Sequence, residues 1–481
     1  MDDYEKTPAG RRYITILLIF WLAAVASSFT GACLFSIRFP LIGTLFPFRV
    51  LLPVTALLTL ILCILKKEAP WKDLTRLEIW CLIFCGSLFL YGGVSLFRAI
   101  EFTHTFHRFF NLTFDLLFFV LLLYLMKKPF FRKPTVILCY ILVFVFFILG
   151  LIEIFNGGFF LDKYDTYKRL WIMNRLGQWP AVFSANSNDF AMTLVFLFAV
   201  LTMDFYREPA RKPGKALAYT FAAGVVYFHS VSTSSRLSRY SFFLIIIVLL
   251  IMAVILLRKA HISFLPLLLI FFMLSTQFVT QYHAKILPCY RYLVALRAYE
   301  AGGADGEAPT LDILDGESSL IDQFISADEE TGDMVLRNDN SAGYRTHLLL
   351  HAFRCIKDSR LLGVGLGNTE MLAKARRITG DAGIYATHCF LVRLVSDFGI
   401  FALIPLLFII FHLFKNAFSV FSAARKAHDR RLAALSVLLI GMLFLYPLLS
   451  TASSDAQDVS SMWLFLAFLV VSSTQTVKEC P

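Results

Sequence analysis

Charge is scarce in this chain. Asp, Glu, Lys and Arg make up only 16% of 481 residues, apolar residues make up 58%, and the mean hydropathy is +0.69. Soluble domains carry about a quarter charged residues, so a soluble globular protein is excluded for the chain as a whole. Metal-ligand spacing is also missing: there is no CxxC pair, and most of the nine cysteines (Cys33, Cys63, Cys81, Cys85, Cys139) fall inside apolar runs. Cys289, Cys355 and Cys389 lie in or beside a polar insert, and all are read as small packing residues. No internal repeat or low-complexity tract is found. The net charge of +11 comes from scattered cations, which gives no stripe for nucleic acid. The apolar run from Tyr13 lacks a small-x-small cleavage site and is read as a retained first helix.

What the chain has is long apolar runs, roughly 18 residues or more, the length that crosses about 30 Å of hydrocarbon as helix. Without water to satisfy the backbone, such runs must be helical. About twelve spans can be drawn, near 13–35, 43–64, 77–97, 111–126, 134–155, 189–205, 216–233, 241–257, 262–279, 389–413, 432–450 and 461–474. Alternate connections are basic: Arg11 and Arg12, Lys66 to Arg76, Lys127 to Lys133, Arg207 to Lys215, Arg258 and Lys259, and Lys415 to Arg431. The positive-inside rule then puts both termini in the cytoplasm and the large insert outside. The expected fold is an all-α polytopic membrane protein. Residues 1–280 carry spans one to nine, 281–388 an extracytoplasmic loop domain, and 389–481 the last three spans.

The insert has two parts. From Arg297 to about Asn340 it is acidic and glycine-rich, the composition of loop. From Tyr344 to Arg360, Leu348, Leu349, His351, Ala352, Cys355 and Ile356 mark an apolar helix face, with Arg345, Arg354, Lys357 and Arg360 opposite. This helix is expected on the outer membrane surface. Gly363, Gly365 and Gly367 follow, suited to close backbone approach to a ligand.

Cations outside are not called for by topology. Arg49, Arg98, Arg108, Arg175, Arg236, Arg239, Arg345 and Arg354 all sit at outer span ends or in outer loops. Each could snorkel to lipid headgroups; together they would suit a lipid-borne pyrophosphate, whose oxygens guanidinium forks match in pairs. Asp115, Glu153 and His229 also fall near outer span ends, away from the midplane sites of coupled transporters. His388, at the junction of insert and span, is poised to take a proton from a sugar hydroxyl near neutral pH.

Four blocks resemble the O-antigen ligase and O-antigen polymerase superfamily of bacterial cell-surface glycan enzymes. Arg175, Gly177 and Asn186-Ser-Asn188 resemble its Arg, Gly, Asn-Pro-Asn segment, with Ser187 in place of Pro. Ser232-Thr-Ser-Ser-Arg236 resembles its Thr-x-Ser-Arg block. Tyr344-Arg345 through Gly363-Val-Gly-Leu-Gly-Asn368 resembles its arginine, helix and glycine unit. His388-Cys389, nine residues between Cys389 and Gly399, and then Gly399-Ile-Phe-Ala402 resemble the ligases' histidine motif, with Cys389 and Ala402 departing from it. The resemblance implies a GT-C-like, metal-independent glycosyltransferase without cofactor in the bacterial cytoplasmic membrane. Its donor would be a glycan on undecaprenyl pyrophosphate and its acceptor a glycan, lipid or protein, with a flippase or chain-length regulator as partner. Arg236 and Arg345 would neutralise the pyrophosphate, Arg175, Arg239, Arg354 and Asn188 would assist binding, and His388 would act on the acceptor hydroxyl. A polysaccharide transporter or lipid-linked oligosaccharide flippase is the rival from another class, and a non-catalytic membrane scaffold or receptor a third reading.

Overall fold

A computed structural model of the chain describes residues 7–31, 37–39, 43–67, 69, 73–156, 182–184, 187–207, 213–233, 235–256, 275–276, 335–378, 387, 389–449 and 460–480. Arg175, His388, most of the span expected at 262–279 and nearly all of the acidic stretch lie outside the described residues. The first helix α1 (Pro8–Thr30) is joined to α2 (Pro47–Leu65) through a two-stranded antiparallel hairpin, β1 (Ile37–Phe39) with β2 (Gly43–Leu45), in which Ile37 faces Leu45. Then come α3 (Arg76–Ser95), α4 (Phe102–Leu125), α5 (Pro129–Asn156), α6 (Ser187–Arg207), α7 (Pro213–Ser232) and α8 (Arg236–Leu256). The insert contributes α9 (Val335–Asp358) and α10 (Asn368–Ala375), and α11 (Phe390–Phe398), α12 (Ile400–Lys426), α13 (Arg430–Leu449) and α14 (Ser460–Lys478) follow.

Among the described residues, eight helices are long and apolar enough to cross a membrane: α1 to α6, α12 and α14. The protein is thus a multi-pass helical membrane protein. Helices α7, α8 and α13 form where further spans are expected and pack among these eight. The expected span at 389–413 is divided. Gly399, at φ +61°, ends α11 and starts α12, so the long helix runs from Ile400 to Lys426 instead.

Two helices form the centre. In α6 and α14 the most apolar window is 94% and 89% buried, against 33–50% in the other six. They are also the least apolar of the eight, with hydropathies of 1.6 and 1.4 against 1.7–3.0. Helices that touch protein on every side can carry more Ser and Thr than those facing lipid. Asp115, Glu153 and His229 are all buried.

The basic connections converge at one end of the bundle. At the end of α14, Gln475 accepts from Arg132 (2.6 Å) and from Arg207, and Glu479 pairs with Arg207 (2.8 Å) and Arg431 (3.7 Å). Lys127 pairs with Glu78 at 2.7 Å, Gln475 donates to the Lys127 carbonyl, and Lys215 pairs with Asp204 at 2.7 Å. The segments that hydropathy puts on one side of the membrane therefore meet on one side.

Candidate functional site

At the opposite end, the insert is locked onto the spans. α9 buries Leu348, His351, Ala352 and Cys355, the face expected from its spacing, against α11 and α10, while Arg345 and Arg354 stay exposed. Its remaining side is not purely polar: Leu350 and Phe353 are about half exposed, as are Leu361 and Leu362 just beyond. The helix is thus apolar toward protein and partly apolar outward, as a helix lying at an interface requires.

The glycine segment wraps the α11–α12 junction. Val364 N donates to the Ser396 carbonyl (2.9 Å), Gly365 N to that of Asp397 (3.0 Å), and Ile400 N to that of Leu361 (2.8 Å). Gly363 and Gly399 sit back to back, both at positive φ. A Cβ on Gly363 would lie 2.5 Å from the Asp397 carbonyl oxygen, and one on Gly399 2.2 Å from that of Leu361. Gly363 and Gly399 thus permit close approach to the protein's own backbone, whereas a Cβ on Gly365 would meet the side chains of Asn368 and Ser95, and one on Gly367 those of His104 and Arg108. Tyr91 of α3 donates to the carbonyls of Leu362 (2.7 Å) and Gly363 (3.0 Å), and Asn368 bridges Arg98 and Ile100 by donating to one backbone and accepting from the other.

Beneath this wrap lies a cluster of charges. Glu370, in the first turn of α10, meets Arg393 of α11 at 3.1 Å and Arg108 of α4 at 3.0 Å, with His104 Nε2 at 3.2 Å. Arg393 is 2% exposed and its Nε lies 3.7 Å from Asp397, which is wholly buried. Asp397 accepts from Gly367 N (3.2 Å), Thr369 N (3.4 Å) and Thr369 Oγ1 (2.5 Å). Two carboxylates thus balance two guanidiniums, which is what makes such burial tolerable. Burial opposes ionisation of Glu370, but Arg393 and Arg108 outweigh it and hold its carboxyl well below the usual range. For Asp397 burial prevails and pushes the carboxyl up, against the pull of Arg393 and the Thr369 and Gly367 hydrogen bonds. His351 Nε2 donates to the Thr369 carbonyl at 3.2 Å and ties α9 to the same cluster. Burial, with Arg376 and Arg354 nearby, lowers the pKa of His351 despite that bond, and burial pushes the Cys355 thiol up to about 11.

The residues expected to bind donor are distributed over two groups of helices. Arg345 and Arg354 lie on α9, which packs on α11 and α10. Arg239, half exposed, lies on α8, which packs on α13, α6 and α7; Arg236 opens the same helix, and its side chain is outside the described set. Asn188, half exposed, is in the first turn of α6. Glu370, Asp397, Arg393 and His104 were not anticipated. Their signal was present: Arg393 and Asp397 are four apart in an apolar helix, as are His104 and Arg108 at the start of a span.

No protein-family model matches the chain, and no curated protein matches it.

Proposed function

We propose that the chain is a membrane glycosyltransferase of the O-antigen polymerase or ligase kind, with about twelve spans and a GT-C-like arrangement. It would transfer a glycan from a polyprenyl pyrophosphate to a hydroxyl on a glycan, lipid or protein, on the outer face of the cytoplasmic membrane. One observation carries this reading. The glycine block (Gly363 to Asn368) and the block from Cys389 to Gly399, which follows His388, interlock as one unit on α3 and α4. Two of the four motif blocks therefore belong to a single rigid element at the bundle end away from the basic loops.

In this reading the acceptor oxygen attacks the anomeric carbon while its proton passes to His388. The bond from that carbon to the pyrophosphate oxygen breaks, and the polyprenyl pyrophosphate leaves. Arg236 and Arg345, with Arg175, Arg239 and Arg354, would offset the growing negative charge, and Asn188 would assist binding. His388 directly precedes Cys389, the N-cap of α11, so the cluster that fixes α11 also fixes the start of the helix beside the base. Charged groups gathered at one end of the spans favour transfer at a surface over passage through the midplane.

The test is reconstitution of the full chain in vesicles with a lipid-linked oligosaccharide donor. Wild type is expected to extend or ligate glycan, and His388→Ala and Arg345→Ala to lose product at unchanged expression. Full activity in both variants, or donor translocation with no transfer, would overturn the assignment.

A further inference from the structure

We propose that residues 300–333 of this chain dock on an exposed cationic face formed by the last turns of α9 and the end of α10. The inference stands apart from the glycosyltransferase reading and needs none of the residues placed at the donor or the acceptor.

From Arg345 to Arg377 seven Lys and Arg are exposed, against one exposed acid, Asp358. None of those seven side chains has a hydrogen-bond or ion-pair partner among the described residues. The buried acid of this stretch, Glu370, is already matched by Arg393 and Arg108. Lys357 on α9 and Lys374, Arg376 and Arg377 at the end of α10 make up the face. The two helices pack on one another, and Arg376 and Arg354 both lie close enough to His351 to affect its ionisation. Nine residues at about 100° each put Arg345 on the other flank of α9 from Arg354. Leu350 and Phe353, each 51% exposed, precede Lys357 by seven and four residues and so share its side of the helix. The face is therefore cationic with apolar side chains set into it.

The chain supplies the complement. Residues 300–333, which lie outside the described residues, carry eleven Asp and Glu and no Lys or Arg. Leu311, Ile313 and Leu314, then Leu320, Ile321 and Phe324, are set among these acids. The segment thus matches the face twice, negative against positive and apolar against Leu350 and Phe353, whereas an anionic glycan would match the charge alone. Residue 333 lies just before Val335, where α9 begins. No apolar run long enough to cross a bilayer intervenes, so segment and face share one side of the membrane. Lys357 stands about 33 Å along α9 from Val335. The 13 residues from Asp322 to Val335 span about 40 Å when extended, so Asp322 and the acids before it reach the far end of the helix. Single exposed ion pairs contribute little. Attachment to the same chain gives the segment an effective concentration on the order of millimolar, which lets several weak pairs hold it.

The test uses the purified full chain in phosphatidylcholine nanodiscs, treated with a water-soluble carbodiimide, which joins carboxylates to lysine amines in contact. Peptide mapping is expected to find Lys357 and Lys374 joined to acids of 300–333. The yield should fall roughly fivefold or more in 1 M NaCl, where the screening length is about 3 Å. Mixed nitrogen-14 and nitrogen-15 chains should give same-isotope pairs only. A variant with the eleven acids replaced by Asn and Gln should bind fluorescent dextran sulfate roughly tenfold more tightly than wild type. Adding Lys357→Gln, Lys374→Gln, Arg376→Gln and Arg377→Gln should abolish that gain. All four side chains are exposed, so these changes keep the fold, which an unchanged melting curve confirms. Absence of the expected crosslinks, mixed-isotope pairs, or a gain that survives the four substitutions would overturn the proposal. So would equal dextran sulfate binding by wild type and the neutralised variant. Crosslinks that vanish when phosphatidylglycerol replaces phosphatidylcholine would also overturn it and give the face to the leaflet instead.

Discussion

Glu370→Gln isolates the charge at the centre of the interlocked unit. The amide keeps the shape of the side chain but removes the negative charge that faces Arg393 at 3.1 Å and Arg108 at 3.0 Å. Removing one partner from a buried pair costs about 3–5 kcal/mol, because the other charge is left uncompensated. Arg393 cannot regain water at 2% exposure, whereas Arg108, with 17% of its side chain exposed, partly can. The lower bound of about 3 kcal/mol is therefore expected. Asp397→Asn differs. Burial already disfavours its charged form, and the single amide oxygen still accepts from Thr369 in place of Oδ1, losing only the bond from Gly367 N to Oδ2. Its cost should be about 1 kcal/mol. Hydrogen exchange of amides 361–375 in nanodiscs reads this local stability. Glu370→Gln should speed exchange there about a hundredfold and Asp397→Asn about fivefold. Equal rates in the two variants, or no acceleration in Glu370→Gln, would refute the ionic account of the unit.

The pH dependence follows with opposite signs for the two acids. Glu370 has its folded pKa depressed, so its contribution is complete above the unfolded value of about 4.3. It is lost only as pH falls through the lower folded value. Asp397 has its folded pKa raised, so its contribution is present below about 3.9 and is lost as pH rises through the folded value. His351, whose folded pKa is lowered, loses part of its contribution as pH falls below about 6.5. It is therefore in a His351→Gln background that acidification from pH 7 to 5 should leave protection at 361–375 unchanged or increased, after correction for intrinsic exchange. Weakened protection over that interval would contradict the assignment.

Gly399→Ala and Gly363→Ala each place a Cβ against backbone at a positive φ, and should cost at least about 2 kcal/mol, seen as lowered melting temperature in detergent. Cys355, buried and with its thiol pushed up to about 11, should react with maleimide at pH 8 far more slowly than half-exposed Cys389 until the protein is denatured. Single cysteines placed at Arg377 and Lys67 in a cysteine-free background should label from opposite sides of the membrane in intact cells, Arg377 from outside. Labelling of both from one side, or Lys67 alone from outside, would refute the assigned topology.

The helical, multi-pass character was legible because it depends on summed apolar length, which local sequence reports directly. Ten of the expected spans fall on single described helices for this reason, and α9 shows its buried face, Leu348, His351, Ala352 and Cys355, in its spacing. The break at Gly399 was hidden, because apolar residues continue on both sides and only a contact 36 residues away, with Gly363, demands the positive φ. The charge cluster was hidden for a related reason. Arg108, Glu370 and Arg393 come from three separate helices, and each alone reads as an interfacial residue. A charge that looks solvated in sequence becomes a core element when three helices bury it together, and its partners are chosen by packing. Lipid-facing helices advertise their surroundings in hydropathy, whereas the enclosed α6 and α14, with the lowest values of the eight, show that the centre of such a bundle is marked by weaker signal. The polar residues that tie such helices together therefore lie where composition is least informative, and mutual pairing across helices is the property that separates them from snorkelling cations.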